Sequence, residues 1–526
     1  MRGNLAARPA PADRFSGGRP DRWFAGGPVG HWQAVTSDDG PLKHRWRAMS
    51  VVLVAGFMTL LDVSIVNVAL PSIRGNLALS SAELQWVLSG YALTFGLLLV
   101  PAGRFGDARG RRNAFIAGLA VFTLASAAAG LATGALWLIV ARLVQGAAAG
   151  VVNPQVSGLI QQLFEPAERG RPFGLLGATI GVSTAVGPLL GGLLIQVFGT
   201  AEGWRWIFYI NLPIGIVAIL LGTKWIPGRS PQAREREPLD PVGVVLLGVG
   251  VVALLLPLVQ EQQWKGSAKW LLVVAAVAIL AGFVAWERRF ARRGTSLIDL
   301  SLFGVRSYGL GALVGLFYFG GFTSIFFTFT LLLQSGLHYS ALEAGLAVTP
   351  FALGSAAAAA IGGRIVNRYG RPLVVAGLVL VGLGLGGTEL ALHLVPGRGA
   401  GFATALPLLV AGIGSGLVIS PNQTLTLAEV PVRRAGSAGA VLQTGQRIGT
   451  AVGIAAVGAV FFNRLAHHGG DWELAFQASL WVTIGFVVVA LVAAVVDVVG
   501  GARSPDRAGR GGDQEREGDR QEQGHR

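Results

Sequence analysis

The chain has 526 residues, of which 52% are hydrophobic and only 13% charged, and its mean hydropathy is +0.57. A soluble domain usually carries about 25% charge, so soluble cores of this total length would go uncovered. The net charge is +14 and there is no cysteine, which excludes disulfide frameworks, thiolate metal sites and cysteine nucleophiles.

Residues 1–47 are rich in Arg, Gly and Pro and contain no long apolar run. They read as a disordered cytoplasmic tail, not a signal peptide, with Met49 as an alternative start at the edge of the first apolar stretch. Residues 499–526 read as a second disordered tail. Between them lie fourteen apolar stretches: 48–70, 84–103, 113–132, 135–160, 173–197, 205–223, 241–259, 269–286, 307–333, 342–362, 373–395, 402–427, 437–462 and 475–498. Each approaches the roughly 20 residues that cross a bilayer. Internal Gly and Pro are compatible with spanning helices, because neighbouring helices satisfy the freed backbone groups.

The basic residues test that count. About 20 Lys and Arg fall in the loops after even-numbered spans and about 6 in the opposite loops, which puts both termini in the cytoplasm. The +14 is therefore mainly an orientation signal, and nucleic acid is not expected as a partner. The layout is an all-α integral membrane protein. It has a six-helix bundle at 48–223, a cytoplasmic linker at 224–240 and two inserted helices at 241–286. A cytoplasmic loop at 287–306 then leads to a second six-helix bundle at 307–498.

Ionisable side chains inside a membrane are functional candidates by default. Asp62 lies well inside span 1, where desolvation favours its neutral form. It is a candidate proton carrier or a site for a cationic substrate; the alternative is a structural carboxylate bonded to Asn67 or Arg142. Arg142, early in span 4, would hold a facing carboxylate ionised until motion separates them, or else snorkels to the interface. In span 5, Ser183, Gly187 and Gly191 recur every four residues, a face suited to close helix contact, and Pro188 should bend the helix. A tight seam there between the two halves would limit leak.

In span 9, Phe319, Phe322, Phe326 and Phe329 follow helical spacing. They are possible contacts for an aromatic substrate, or lipid-facing and core rings. Ser340 and Glu343 form a capping box that opens span 10. Glu389, near the outer end of span 11, has a rim, lipid-interface or cavity role. Arg447 is central to span 13, with Gln443 one turn earlier on the same face. Together they line a cavity or form a hydrogen-bonding hub.

One loop occurs twice. Gly103-Arg-Phe-Gly-Asp107-Ala-Arg-Gly110-Arg111-Arg112 follows span 2, and Gly363-Arg-Ile-Val-Asn367-Arg368-Tyr-Gly370-Arg371 follows span 10. A motif recurring after corresponding helices indicates internal duplication. Gly103 and Gly106 permit close helix approach. Asp107 and the Arg residues around it suit a cytoplasmic latch, provided a partner helix end faces them, since solvated loop charges contribute little. The second copy has Asn367 for Asp, so its latch, with Arg368, should be weaker.

The duplicated loop resembles the signature loop of the major facilitator superfamily, and fourteen spans resemble its drug:proton antiporter branch. Four further stretches agree. Leu61-Asp62-Val-Ser-Ile-Val-Asn67-Val-Ala-Leu-Pro71 is similar to the first-helix motif, with Ser64 where Thr is usual. Arg142-Leu-Val-Gln145-Gly146 resembles the fourth-helix motif. Gly187-Pro188-Leu-Leu-Gly191-Gly192 resembles the fifth-helix antiporter motif, with Ser183 in place of its first Gly. Trp204-Arg-Trp-Ile-Phe-Tyr-Ile-Asn211-Leu-Pro213-Ile-Gly215 resembles the sixth-helix signature. Ala108 replaces a usual basic residue.

The resemblance implies proton-driven efflux of lipophilic drugs or antibiotics by alternating access, with Arg142 in proton transfer and no cofactor beyond the proton gradient. The expected partners are the lipid bilayer, protons and a small lipophilic drug-like substrate. The protein is expected to act as a monomer in a bacterial cytoplasmic membrane. The alternative is an exporter or symporter of a metabolite, lipid or siderophore. Other classes fit poorly. An ATP-driven pump needs a phosphate loop ending in Lys-Ser or Lys-Thr, and no Lys here is followed by either. The seven His lie in tails, loops or span ends, which leaves no intramembrane metal or acid–base cluster for an enzyme.

Overall fold

The computed structural model describes residues 41–199, 201–228, 240–259, 264, 266–290, 297–467 and 469–501. Fourteen helices among them are long and apolar enough to span a bilayer. The helices that form them are α1 Pro41–Leu77, α2 Ser81–Arg109, α3 Arg111–Gly130, α4 Ala135–Leu163, α5 Gly170–Phe198, α6 Asn211–Trp225 (the larger part of the sixth span, Gly203–Trp225) and α7 Pro241–Val259. Then follow α8 Trp270–Phe290, α9 Arg306–Leu331, α10 Ala341–Tyr369, α11 Arg371–Leu394, α12 Ala405–Thr426, α13 Ala435–His467 and α14 Trp472–Gly501.

Local chemistry sets several ends. Ser80 with Glu83, and Ser340 with Glu343, form reciprocal capping boxes at the starts of α2 and α10. Gly110 (φ 108°) and Gly370 (φ 59°) separate α2 from α3 and α10 from α11, a backbone turn that glycine makes without strain. Helix α1 begins seven residues before the expected tail boundary, so residues 41–47 are helical, and α14 runs on to Gly501. Residues 1–40 and 502–526, and most of the expected linker, lie outside the described residues. Span six is broken: a one-turn helix, Trp206–Tyr209, precedes α6.

One hydrophobic core gathers Phe115, Phe122 and Phe173 of the first half, and another gathers Phe329, Phe351, Phe461 and Phe476 of the second. The inserted helices α7 and α8 pack on each other, and α7 also packs on α2 and α13. The halves meet mainly along α5–α10 and α2–α13. In the α5–α10 seam the two backbones nearly touch: a Cβ on Gly363 would run into the Gly170 carbonyl, and one on Gly181 would lie 3.0 Å from the Ala356 nitrogen.

Candidate functional site

Asp62 is fully buried in α1. Its Oδ2 accepts from Arg142 Nη1 at 2.6 Å, and its Oδ1 accepts from Gln145 Nε2 at 2.7 Å and Asn211 Nδ2 at 3.2 Å. Arg142 and Gln145 are three residues apart on α4, which turns both toward α1. Arg142 also donates to Gln145 Oε1 (2.8 Å) and to the Val87 carbonyl (3.2 Å). Ser126 of α3 accepts from Gln145 (3.2 Å) and Asn211 (3.0 Å). Tyr91 of α2 lies under the guanidinium, 4.2 Å from ring centroid to Cζ. Five helices thus wrap one buried ion pair, and the pairing satisfies charges that burial alone would make very costly.

Of the two partners expected for Asp62, Arg142 is the real one. Asn67 is exposed and donates to the Val63 carbonyl instead. Gln145 and Asn211 stood inside the sequence motifs without being read as site residues, and Ser126 and Tyr91 were missed. Their shared signal was a polar group within an apolar span. One atom is left over: Asn211 Oδ1 is buried without a hydrogen-bond donor.

The network reaches toward the second half through stacked rings. Tyr91 stacks on Phe95 with centroids 6.2 Å apart, and Arg447 of α13 sits over Phe95 at 4.5 Å. One turn earlier, Gln443 donates to Ser157 Oγ (3.4 Å) and the Asn153 carbonyl (3.5 Å), both on α4. Arg447 and Gln443 therefore lie together on the inter-half face of α13. Glu389 lies elsewhere, one turn before His393 on α11, a helix that packs on α12 and α14.

At the end of α2, the Asp107 carboxylate accepts from Gly436 N (3.1 Å), Ser437 N (2.8 Å) and Ser437 Oγ (2.8 Å). These donors open α13, so an acid of the first half caps a helix of the second, where the helix dipole adds to the attraction. Arg111 holds the acid from behind, with Nε at 3.0 Å and Nη2 at 2.7 Å from Oδ1. It also donates to the Val432 carbonyl. Gly103 and Gly106 make room: a Cβ on Gly103 would lie 2.7 Å from the Gly436 oxygen, and one on Gly106 would collide with Gln155. Arg112 donates to the Thr223 carbonyl.

In the second copy, Asn367 makes one cross-half hydrogen bond, to the Ala167 carbonyl. The Arg expected beside it, Arg368, is exposed and lies over Tyr369. The counterpart of Arg111 is Arg371, which binds Asn422 (2.8 Å), the Ser307 carbonyl (2.6 Å) and Asp497 (2.6 Å). Helix register decides this: both arginines directly follow a positive-φ glycine.

The span 5 stripe faces α1, not the other half. Ser183 accepts from Ser64 through its carbonyl (3.0 Å), Gly187 abuts Ser64, and a Cβ on Gly191 would meet Ile65 at 3.0 Å. Gly192 has open space around it. The seam between halves is built by earlier residues of α5, Gly170 to Gly181, with only Pro188 of the motif near α10. The span 9 aromatics also divide. Phe319, Phe322 and Phe326 are partly exposed; Phe322 and Phe326 meet Phe351 of α10, with Phe326–Phe351 centroids 5.0 Å apart, and Phe319 packs on Phe322 at 5.6 Å. Phe329 is buried against Phe476 of α14 and is a core residue.

A family model described as Major Facilitator Superfamily matches residues 52–454 and 311–518. The chain is 38% identical over 436 residues to a probable actinorhodin transporter of Streptomyces coelicolor, covering 81% of this chain and 74% of that one. It is 34% identical to the puromycin resistance protein of Streptomyces alboniger, covering 87% and 90%. Among solved structures, the human organic anion transporter MFSD10 matches with a TM-score of 0.62 at 16% identity, covering 86% of this chain and 99% of that one.

Proposed function

The chain belongs to the Major Facilitator Superfamily, and we propose that this multi-pass membrane protein expels a lipophilic, aromatic antibiotic-like compound in exchange for protons. The observation that carries the reading is the fully buried Asp62–Arg142 pair. Relatives of similar length are named for an antibiotic or for resistance to one, which supports the substrate class.

With Asp62 ionised, Arg142, Gln145 and Asn211 all donate to it, and the pair is closed. When a proton reaches Asp62, the charge attraction to Arg142 is lost. The new O–H finds an acceptor in Asn211, whose Oδ1 is otherwise idle, after the amide turns. Arg142 is then free to shift against Tyr91, and the Tyr91–Phe95 stack carries that shift to Arg447 on the second half. Asp107, capping α13, keeps the cytoplasmic side shut in the state described and must release that helix for the substrate to enter. Alternating access then exposes the space between the halves first to one side and then to the other. The partly exposed rings at Phe319, Phe322 and Phe326 offer a stacking surface for the substrate.

The test is drug accumulation in a pump-deficient host with and without a protonophore. The reading predicts lowered accumulation that the protonophore abolishes. A second reading, export of a metabolite, draws on the relative named as a riboflavin transporter at 27% identity. It predicts unchanged drug accumulation and proton-dependent loss of a native aromatic metabolite.

A further inference from the structure

We infer that Asp240 and Glu287 form a second proton-binding site, carried by the inserted helix pair and separate from the Asp62 network. Asp240 precedes α7 and Glu287 lies in the last turn of α8, and they are 2% and 0% exposed. Both carboxylates converge on one spot. A Cβ on Gly243 would lie 2.5 Å from Asp240 Oδ2 and 2.7 Å from Glu287 Oε1, so only glycine leaves room for the pair.

Their surroundings differ. Asp240 Oδ1 accepts from Val242 N (3.1 Å) and Gly243 N (3.0 Å), capping α7, and its Oδ2 accepts from Trp286 Nε1 (2.8 Å). Three donors thus occupy its two oxygens. Glu287 accepts from backbone N–H groups only, those of Ile298 and of Leu297 (3.3 Å to Oε1), while its Oε2 is buried without a hydrogen-bond partner. A second anion beside the Asp240 carboxylate, with an idle buried oxygen, is the less favourable arrangement. A proton on Glu287 removes the repulsion and gives that carboxyl an O–H to share with its neighbour. Among the described residues, the charged groups that face Glu287 are Asp240 and Arg104 of α2, the latter itself buried; Arg288 and Arg289 are exposed.

The site also has a mechanical connection. Leu297 lies in the segment that leads from the inserted pair into α9, and Leu297, Ile298 and Leu302 are buried in the core. The Glu287 carboxyl holds that segment at Leu297, so gain or loss of its proton acts on the joint between the inserted helices and the second half.

The test is infrared spectroscopy of the purified full chain in liposomes, reading the carbonyl stretch of protonated carboxyl groups at neutral pH. The expected result is a band that disappears in Glu287→Gln, persists in Asp62→Asn and weakens in Asp240→Asn, which removes the neighbouring anion. Glu287→Gln preserves the size of the side chain and its acceptor for Leu297. A spectrum unchanged in both Glu287→Gln and Asp240→Asn overturns the inference. Because the readout needs no substrate, failure of the export reading would leave it standing, and the converse holds.

Discussion

The Asp62 carboxylate and the Arg142 guanidinium meet at 2.6 Å inside the first bundle, 80 residues apart in sequence. Both are buried, at 0% and 1% exposure. Removing one partner of such a pair typically costs about 3–5 kcal/mol, because the other is left buried and unpaired. Arg142→Ala should therefore lower thermal stability sharply. Adding Asp62→Asn to it should restore much of the loss, since no anion then remains unpaired. Unfolding of the two single variants and the double variant measures this coupling, and strictly additive losses would contradict it.

The latch makes a separate prediction. Asp107 accepts three hydrogen bonds from the start of α13, and Asp107→Ala removes all of them. The chain has no native cysteine, so Ser157→Cys, placed where α4 meets α13, reports access from the cytoplasm. Labelling at that position should be several-fold faster in the Asp107→Ala background. Equal rates would show that other contacts hold the cytoplasmic side shut.

The α5–α10 seam should tolerate no side chain. Gly363→Val places branched atoms against the Gly170 carbonyl. The variant should insert normally, fail to close its cytoplasmic side and lose transport. Full transport by this variant would mean that the seam opens at little cost.

The span 9 aromatics should separate by role. Phe322→Ala and Phe326→Ala should weaken export of an aromatic compound several-fold and leave stability nearly unchanged. Phe329→Ala empties a core position against Phe476 and should cost about 3–5 kcal/mol, with substrate selectivity preserved among the molecules that fold. A selectivity panel beside melting curves distinguishes the two effects.

Much of this was legible in the sequence. Fourteen spans follow from hydropathy, and the lone charges at 62, 142 and 447 stand out because charge is rare in spans. The loop repeat pointed to Asp107. What was not legible depended on tertiary direction. The closure of the Asp62 network by Gln145, Ser126 and Asn211 joins residues far apart in the chain. The direction of the Gly187 stripe, toward α1, is not encoded in its spacing. Arg371 takes the place expected of Arg368 because helix register selects which arginine faces inward. Asp240 falls in the expected linker at 224–240 and Glu287 in the expected loop at 287–306, so neither stands out as a charge inside a span.

The most direct measurement is efflux by Asp62→Asn in energised, inverted membrane vesicles, with insertion checked by protein level. Asparagine keeps the size and one acceptor oxygen but cannot exchange a proton. The account predicts loss of proton-coupled drug export from a correctly inserted protein. Undiminished, protonophore-sensitive export by Asp62→Asn would contradict it.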